Sequence, residues 1–225
     1  MASLERAEKC IATSSGCSAT VLVTHLLKTG DHIICVDDVY GGTGRYFRKM
    51  AVPIYGMEVD FVDMTSMDSL RAGIKENTKL CWIETPTNPT LKVMDIQAIA
   101  EVCKEKGIIL VVDNTFQTPY FQRPLTLGAD IVIHSATKYI GGHSDFVMGF
   151  ILTNNEELYH QMYLFGYSLG PIPGPMDCYL ALRSIKTLGV RIDAIFKNAQ
   201  TVAEHLETRT DIIERVYYTC LPSHP

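Results

Sequence analysis

The stretch Ile108-Ile109-Leu110-Val111-Val112-Asp113-Asn114-Thr115 decides the fold. Its five apolar residues, four of them β-branched, are too few for a core helix and lack polar alternation, so they read as a strand covered on both faces. Working outward, short apolar runs recur at Ile33-Ile34-Cys35-Val36, Val59-Asp60-Phe61-Val62, Leu80-Cys81-Trp82-Ile83, Ile131-Val132-Ile133 and Phe150-Ile151-Leu152. Helical patterns over 16–28, 67–76 and 94–106 alternate with several of them, the last ending at Gly107. Repeated strand, helix, strand order predicts an α/β fold with a mostly parallel or mixed sheet flanked by helices. From Met176 to about Glu207 the apolar spacing predicts one long helical stretch kinked at Gly189, followed by a strand-like Val216-Tyr217-Tyr218. We therefore expect a large domain over 1–189 and, over 190–225, the continuation of the long helix into a smaller unit.

Composition narrows the function. The 225 residues are 47% hydrophobic and 20% charged, which suits one globular domain with a large core. A net charge of −5 without a basic stripe argues against nucleic acid and favours a small-molecule partner. No apolar run approaches the roughly 18 residues that cross a bilayer, and Met1 to Arg6 lacks the apolar stretch of a signal peptide, so the reading is a cytoplasmic protein without membrane contact. Seven scattered cysteines without a CxxC pair indicate neither a disulfide framework nor a zinc site. His134, His143 and His160 lack metal-ligand spacing, so no metal is expected.

In open α/β sheets, ligands lie beyond the carboxyl ends of the strands. There, Ser135-Ala136-Thr137-Lys138 delivers two hydroxyls suited to phosphate and a lysine before the paired Gly141-Gly142. Partial shielding favours a neutral amine, which attacks the aldehyde of a cofactor; an ordinary exposed lysine after a strand is the plainer alternative. Asp113 closes the most apolar strand, where a carboxylate calls for a positive partner such as a protonated pyridine nitrogen, or else caps a turn. Ser15 and Gly16 open a helix whose free N–H groups suit an anion or merely mark a cap. Tyr40, before Gly41-Gly42, offers a ring to a planar ligand or packs a loop; Asn88, between Thr87 and Pro89, reads alone as a turn residue. Other chemistries fit poorly. Gly41-Gly42-Thr43-Gly44 is not GxGxxG, no GxxxxGK[ST] occurs, and Gly142-His143-Ser144-Asp145-Phe146 lacks the last glycine of a nucleophile elbow.

Together, Tyr40-Gly41-Gly42-Thr43, Glu84-Thr85-Pro86-Thr87-Asn88-Pro89, Val111-Val112-Asp113-Asn114-Thr115 and Ser135-Ala136-Thr137-Lys138-Tyr139 resemble the Cys/Met-metabolism family of fold-type-I pyridoxal-phosphate enzymes, from about Leu4 to the end. The resemblance implies the large domain of that fold and pyridoxal 5'-phosphate as cofactor. It makes Lys138 the lysine joined to the cofactor aldehyde, Asp113 the partner of the pyridinium nitrogen and Tyr40 the stacked ring; these three are the catalytic residues. Ser135, Thr137 and the amides around Ser15, Gly16 and Cys17 would hold the phosphate, with Glu84 and Asn88 beside the ring. Cys17 stands where the family usually has Leu, Met or Gly, a difference that a backbone contact tolerates.

The implied activity is carbon–sulfur lysis of a small amino acid, with γ-elimination of L-cystathionine to L-cysteine, 2-oxobutanoate and ammonia first and L-cysteine a further substrate. Family members catalysing γ-synthesis, β-elimination or methionine γ-elimination share much of the pattern. The implied assembly is a homo-oligomer, a tetramer built from dimers. The family's amino-terminal arm, which completes a neighbour's phosphate site, and its carboxy-terminal arginine, which clamps the substrate carboxylate, are both outside these 225 residues. The chain is thus expected to act weakly alone and to expose Ile192, Ile195 and Phe196; a non-catalytic remnant that retains the cofactor fold is the competing expectation.

Overall fold

A computed structural model describes residues 1–225. Seven strands form one sheet: β1 (Lys9–Thr13), β2 (His32–Val36), β3 (Glu58–Val62), β4 (Thr78–Glu84), β5 (Ile109–Asp113), β6 (Ile131–Ser135) and β7 (Gly149–Thr153). Their spatial order is β1-β7-β6-β5-β4-β2-β3, and only β7 runs against its neighbours. The expected α/β architecture is therefore present. All five residues of β2 and most of β4 are buried, as two-sided covering requires. β3, at the edge, is only partly buried.

The helices are α1 (Ala2–Glu5), α2 (Gly16–Thr24), α3 (Gly41–Tyr46), α4 (Met67–Gly73), α5 (Ile96–Lys106), α6 (Thr118–Phe121), α7 (Glu156–Leu169), α8 (Pro175–Ile185) and α9 (Leu188–Glu207). Local sequence explains their ends. Asp95 caps α5 by accepting from the Ala98 N–H at 3.0 Å, and Gly107 ends the helix in the left-handed region at φ 66°. The core joins both faces of the sheet, with the Trp82 and Phe47 rings 5.6 Å apart and edge-to-face.

Four expectations need correction. The pattern over 16–28 is helical only to Thr24, whose hydroxyl bonds back to the Val21 carbonyl at 2.8 Å. The stretch from Met176 to Glu207 is two helices, and the break falls at Lys186–Thr187 rather than Gly189. Thr187 leaves helical geometry at φ −110°, and its hydroxyl bonds to the Ser184 carbonyl at 3.1 Å, in competition with the helical ladder. Val216-Tyr217-Tyr218 has no regular structure. Ile192 is only 3% exposed because α9 lies back on the sheet domain; Ile195 remains exposed and Phe196 packs on Phe121 with centroids 5.0 Å apart. No helix is long and apolar enough to cross a membrane.

Candidate active site

The chain winds outward from β2 to β3, returns to place β4 on the other side of β2, and continues through β5 to β6. Such a reversal opens a crevice at the strand ends. A cavity of about 250 Å³ lies there, and it brings together every residue singled out from the sequence: Ser15, Gly16, Cys17, Tyr40, Glu84, Asn88, Asp113, Ser135, Thr137 and Lys138.

One wall is the start of α2. Ser15 caps the helix through the Ser18 N–H at 3.0 Å, and the first amides, at Gly16 and Cys17, have no intrahelical acceptor. A Cβ at Gly16 would lie 2.9 Å from the Ser135 Cβ, so glycine lets this helix end meet the end of β6. Free N–H groups and two hydroxyls, from Ser135 and Thr137, therefore converge as an anion site.

The floor is acidic. Glu84 and Asp113 are paired in register on β4 and β5, which puts two carboxyls side by side. Glu84 Oε1 accepts from the Tyr40 N–H at 2.9 Å, fixing the backbone that carries the Tyr40 ring. Burial and the neighbouring Asp113 charge push the Glu84 carboxyl up to about 9. Asp113 Oδ1 accepts from the Thr115 N–H at 3.0 Å and from its hydroxyl, and Thr115 Oγ1 accepts from the Ser135 N–H at 2.8 Å. Burial raises the Asp113 carboxyl, while the Thr115 bonds and His134 draw it back. A cation beside the pair would relieve it.

This pairing has a measurable consequence in the cofactor-free chain. Between pH 4.5 and about 9 the folded state keeps a Glu84 proton that the unfolded state has released. Stability should then fall as pH rises through that window, by at most about 1.4 kcal/mol per pH unit. Urea midpoints measured across the range should flatten in Glu84→Gln; parallel curves for the two chains would count against the assignment.

Lys138 departs from expectation: its side chain is exposed rather than partly shielded. It stands where the cavity opens into a wider depression of about 760 Å³ edged by Phe116, Tyr139, Phe146, Val147 and Ile195. The turn behind it is held firmly. Arg191, on α9, donates from Nη1 to the Tyr139 carbonyl at 2.7 Å and from Nη2 to the carbonyls of Ile140 at 3.1 Å and Ser184 at 3.0 Å. Gly142 has φ 71°, and a Cβ there would lie 2.0 Å from Arg191 Nη1, so this glycine serves both the turn and the clamp. The Tyr40 ring, 41% exposed, rests against Gly42 at the cavity edge.

Sequence reasoning gave no role to several residues of the site. Thr115 was visible as the hydroxyl two places after a strand-ending Asp, a spacing that favours a local turn bond. Asp38 accepts from the Thr87 hydroxyl and from the Thr90 N–H at 3.0 Å, tying down the loop that carries Asn88. Arg191 had no local signal, since the carbonyl it grips most closely is 52 residues away.

The geometry is that of a pyridoxal-phosphate enzyme of fold type I, and a family model settles membership: the description "Cys/Met metabolism PLP-dependent enzyme" matches residues 1–225, so the chain belongs to that family. Among its relatives, cystathionine gamma-lyase of Homo sapiens is 54% identical over all of this chain and 55% of its own length. "Putative cystathionine gamma-lyase 2" of Caenorhabditis elegans is 52% identical, with 57% of its length covered. The chain thus spans little more than half the length of these relatives. Of solved structures, metB from Corynebacterium glutamicum superposes with a TM-score of 0.96 at 45% identity, covering 100% of this chain and 58% of that one. Cystathionine gamma-lyase from Lactobacillus plantarum complexed with L-serine gives 0.89 at 39%, covering 92% and 54%.

Proposed function

We propose that this chain forms the cofactor-binding part of a carbon–sulfur lyase that splits L-cystathionine by γ-elimination, consuming water and giving L-cysteine, 2-oxobutanoate and ammonia. The observation that carries the reading is the meeting, in one cavity, of a lysine, a free helix N-terminus with two hydroxyls, and a buried carboxyl pair without a cation. The residues fit pyridoxal 5'-phosphate: an anion site at Gly16, Cys17, Ser135 and Thr137 lies across the cavity from an Asp113 that a ring N–H⁺ would neutralise.

When bound, the cofactor supplies an electron sink for the electron pair left at the substrate Cα. Lys138 is the residue whose Nζ would hold the cofactor aldehyde, and as a free amine it would take the Cα proton and return protons along the substrate chain. Tyr40, at the cavity edge, would cover one face of the ring, and its hydroxyl would assist the departing sulfur. Asp113, oriented by Thr115, would keep the ring nitrogen protonated. Glu84 and Asn88 would border the ring, and Glu84 also holds the Tyr40 backbone.

In the same reading, residues 1–189 are the cofactor unit, and 190–225 extend α9 toward the smaller one. The protein is cytoplasmic and a homo-oligomer, a tetramer built from dimers. Tyr163, Leu164, Tyr167 and Leu169 on α7 and Met176 and Tyr179 on α8 are exposed and apolar, which supports association.

The test is chemical. The whole protein, loaded with pyridoxal phosphate and reduced with borohydride, should yield a pyridoxyl label on Lys138, and the unreduced holoenzyme should release ammonia faster from L-cystathionine than from cysteine, homocysteine or methionine. A label on another lysine, or preference for methionine, would reject the reading at the level it addresses.

A further inference from the structure

A second polar assembly lies directly behind the cavity and has no part in the chemistry described. Glu5, on α1, is fully buried, as are His134 and Asn114. One oxygen, Glu5 Oε1, sits 2.6 Å from His134 Nε2 and accepts from Asn114 Nδ2 at 2.8 Å. Asn114 Oδ1 accepts from Gln122 Nε2 at 3.0 Å, and the same Gln122 nitrogen donates to the Thr85 carbonyl at 3.1 Å.

The placement of these partners is what matters. His134 immediately precedes Ser135 on β6, Asn114 immediately follows Asp113 on β5, and Thr85 immediately follows Glu84 on β4. Each strand that lends a polar residue to the cavity floor is therefore held, one residue away, by a single hydrogen-bonded chain that begins at Glu5. Strand pairing holds the backbone up to this point, with Glu84 opposite Asp113, Ser135 opposite Gly149 and the Asn114 N–H donating to the Ile133 carbonyl at 3.0 Å; the side-chain network adds a second tie across the three strand ends. Glu5 Oε2 and His134 Nδ1 are also buried without a protein partner. Unsatisfied polar atoms at such depth are uncommon, and they cluster where function retains them.

We propose that Glu5 is a positioning residue for the cofactor cavity, registering the ends of β4, β5 and β6 through His134, Asn114 and Gln122. The inference rests on the reading of the cavity as a pyridoxal-phosphate site. Glu5 touches neither cofactor nor substrate; it sets where Asp113 and Ser135 stand. His134 also favours the ionised form of Asp113, which agrees with that placement.

The experiment measures pyridoxal-phosphate affinity by absorbance titration of the whole protein, together with the urea midpoint of each variant. Glu5→Ala should weaken cofactor binding roughly tenfold or more, since two donors then lack their acceptor and the strand ends relax. Glu5→Gln keeps an acceptor in place and should restore most of the affinity. Val102→Ala, in the core on α5, should lower the urea midpoint without changing cofactor affinity, separating positioning from general loss of stability. If Glu5→Ala does not fold, Gln122→Met decides: it removes the link to Thr85 at similar volume and should weaken binding about threefold or more. Parent-like affinity in folded Glu5→Ala, or in Gln122→Met where Glu5→Ala fails to fold, would overturn the proposal. So would an affinity loss in Val102→Ala matching that of Glu5→Ala. A parent protein that takes no label at Lys138 would instead reject the cofactor reading itself.

Discussion

Replacing Lys138 with alanine in the whole protein should lower cystathionine turnover by roughly 10³-fold or more, because a single amine supplies both the covalent hold on the cofactor and the proton transfers at Cα. Its position makes substitution by a neighbour difficult. No other lysine lines the cavity, and the acidic groups that do are committed, Glu84 to the Tyr40 amide and Asp113 to Thr115. Cofactor should still enter the variant, since the proposed phosphate site at Gly16, Cys17, Ser135 and Thr137 is untouched, but borohydride should leave no covalent label. Added small primary amines should recover part of the rate in proportion to their basicity. Turnover within tenfold of the parent would remove Lys138 from the chemistry.

That lysine was legible in the sequence because strand ends are. The buried strands announce themselves as short β-branched runs, and in a sheet of this kind the next few residues are delivered to the ligand edge. So Asp113, Glu84, Ser135 and Lys138 could be placed together without knowing the order of the strands. What escaped has physical causes. β1 reads Lys9-Cys10-Ile11-Ala12-Thr13 and lies at the sheet edge, so it carries neither a long apolar run nor alternation. α7 buries only Met162 and leaves Tyr163, Leu164, Tyr167 and Leu169 exposed, so its core-facing stripe is faint. The break between α8 and α9 is made by a threonine side chain, whereas Gly189, the residue that looked like the hinge, sits undisturbed inside α9 against Tyr120. Glu5 and His134 are 129 residues apart, and an acidic residue on a four-residue helix gives no local sign that it is buried. Local pattern thus found the groups that line the cavity, while the groups that hold them in place depend on contacts distant in sequence.

The two carboxyls of the cavity floor should respond differently to loss of charge. Asp113→Asn keeps the side-chain shape and can still accept from Thr115, so fold and cofactor binding should survive. It cannot hold a ring nitrogen protonated, and without that proton the cofactor is a poorer electron sink. A loss of about 2.7 kcal/mol in transition-state stabilisation corresponds to roughly 10² in rate. In the cofactor-free chain the Glu84 carboxyl is raised to about 9 by burial and by Asp113. Glu84→Gln removes little charge and should cost much less than Asp113→Asn, mainly through the hold on the Tyr40 amide. The ordering is the decisive measurement, with kcat compared at saturating cofactor so that binding does not confound it. If Glu84→Gln proved the more damaging, the negative charge facing the ring would belong to Glu84, and the proton now assigned to Glu84 would sit on Asp113 instead.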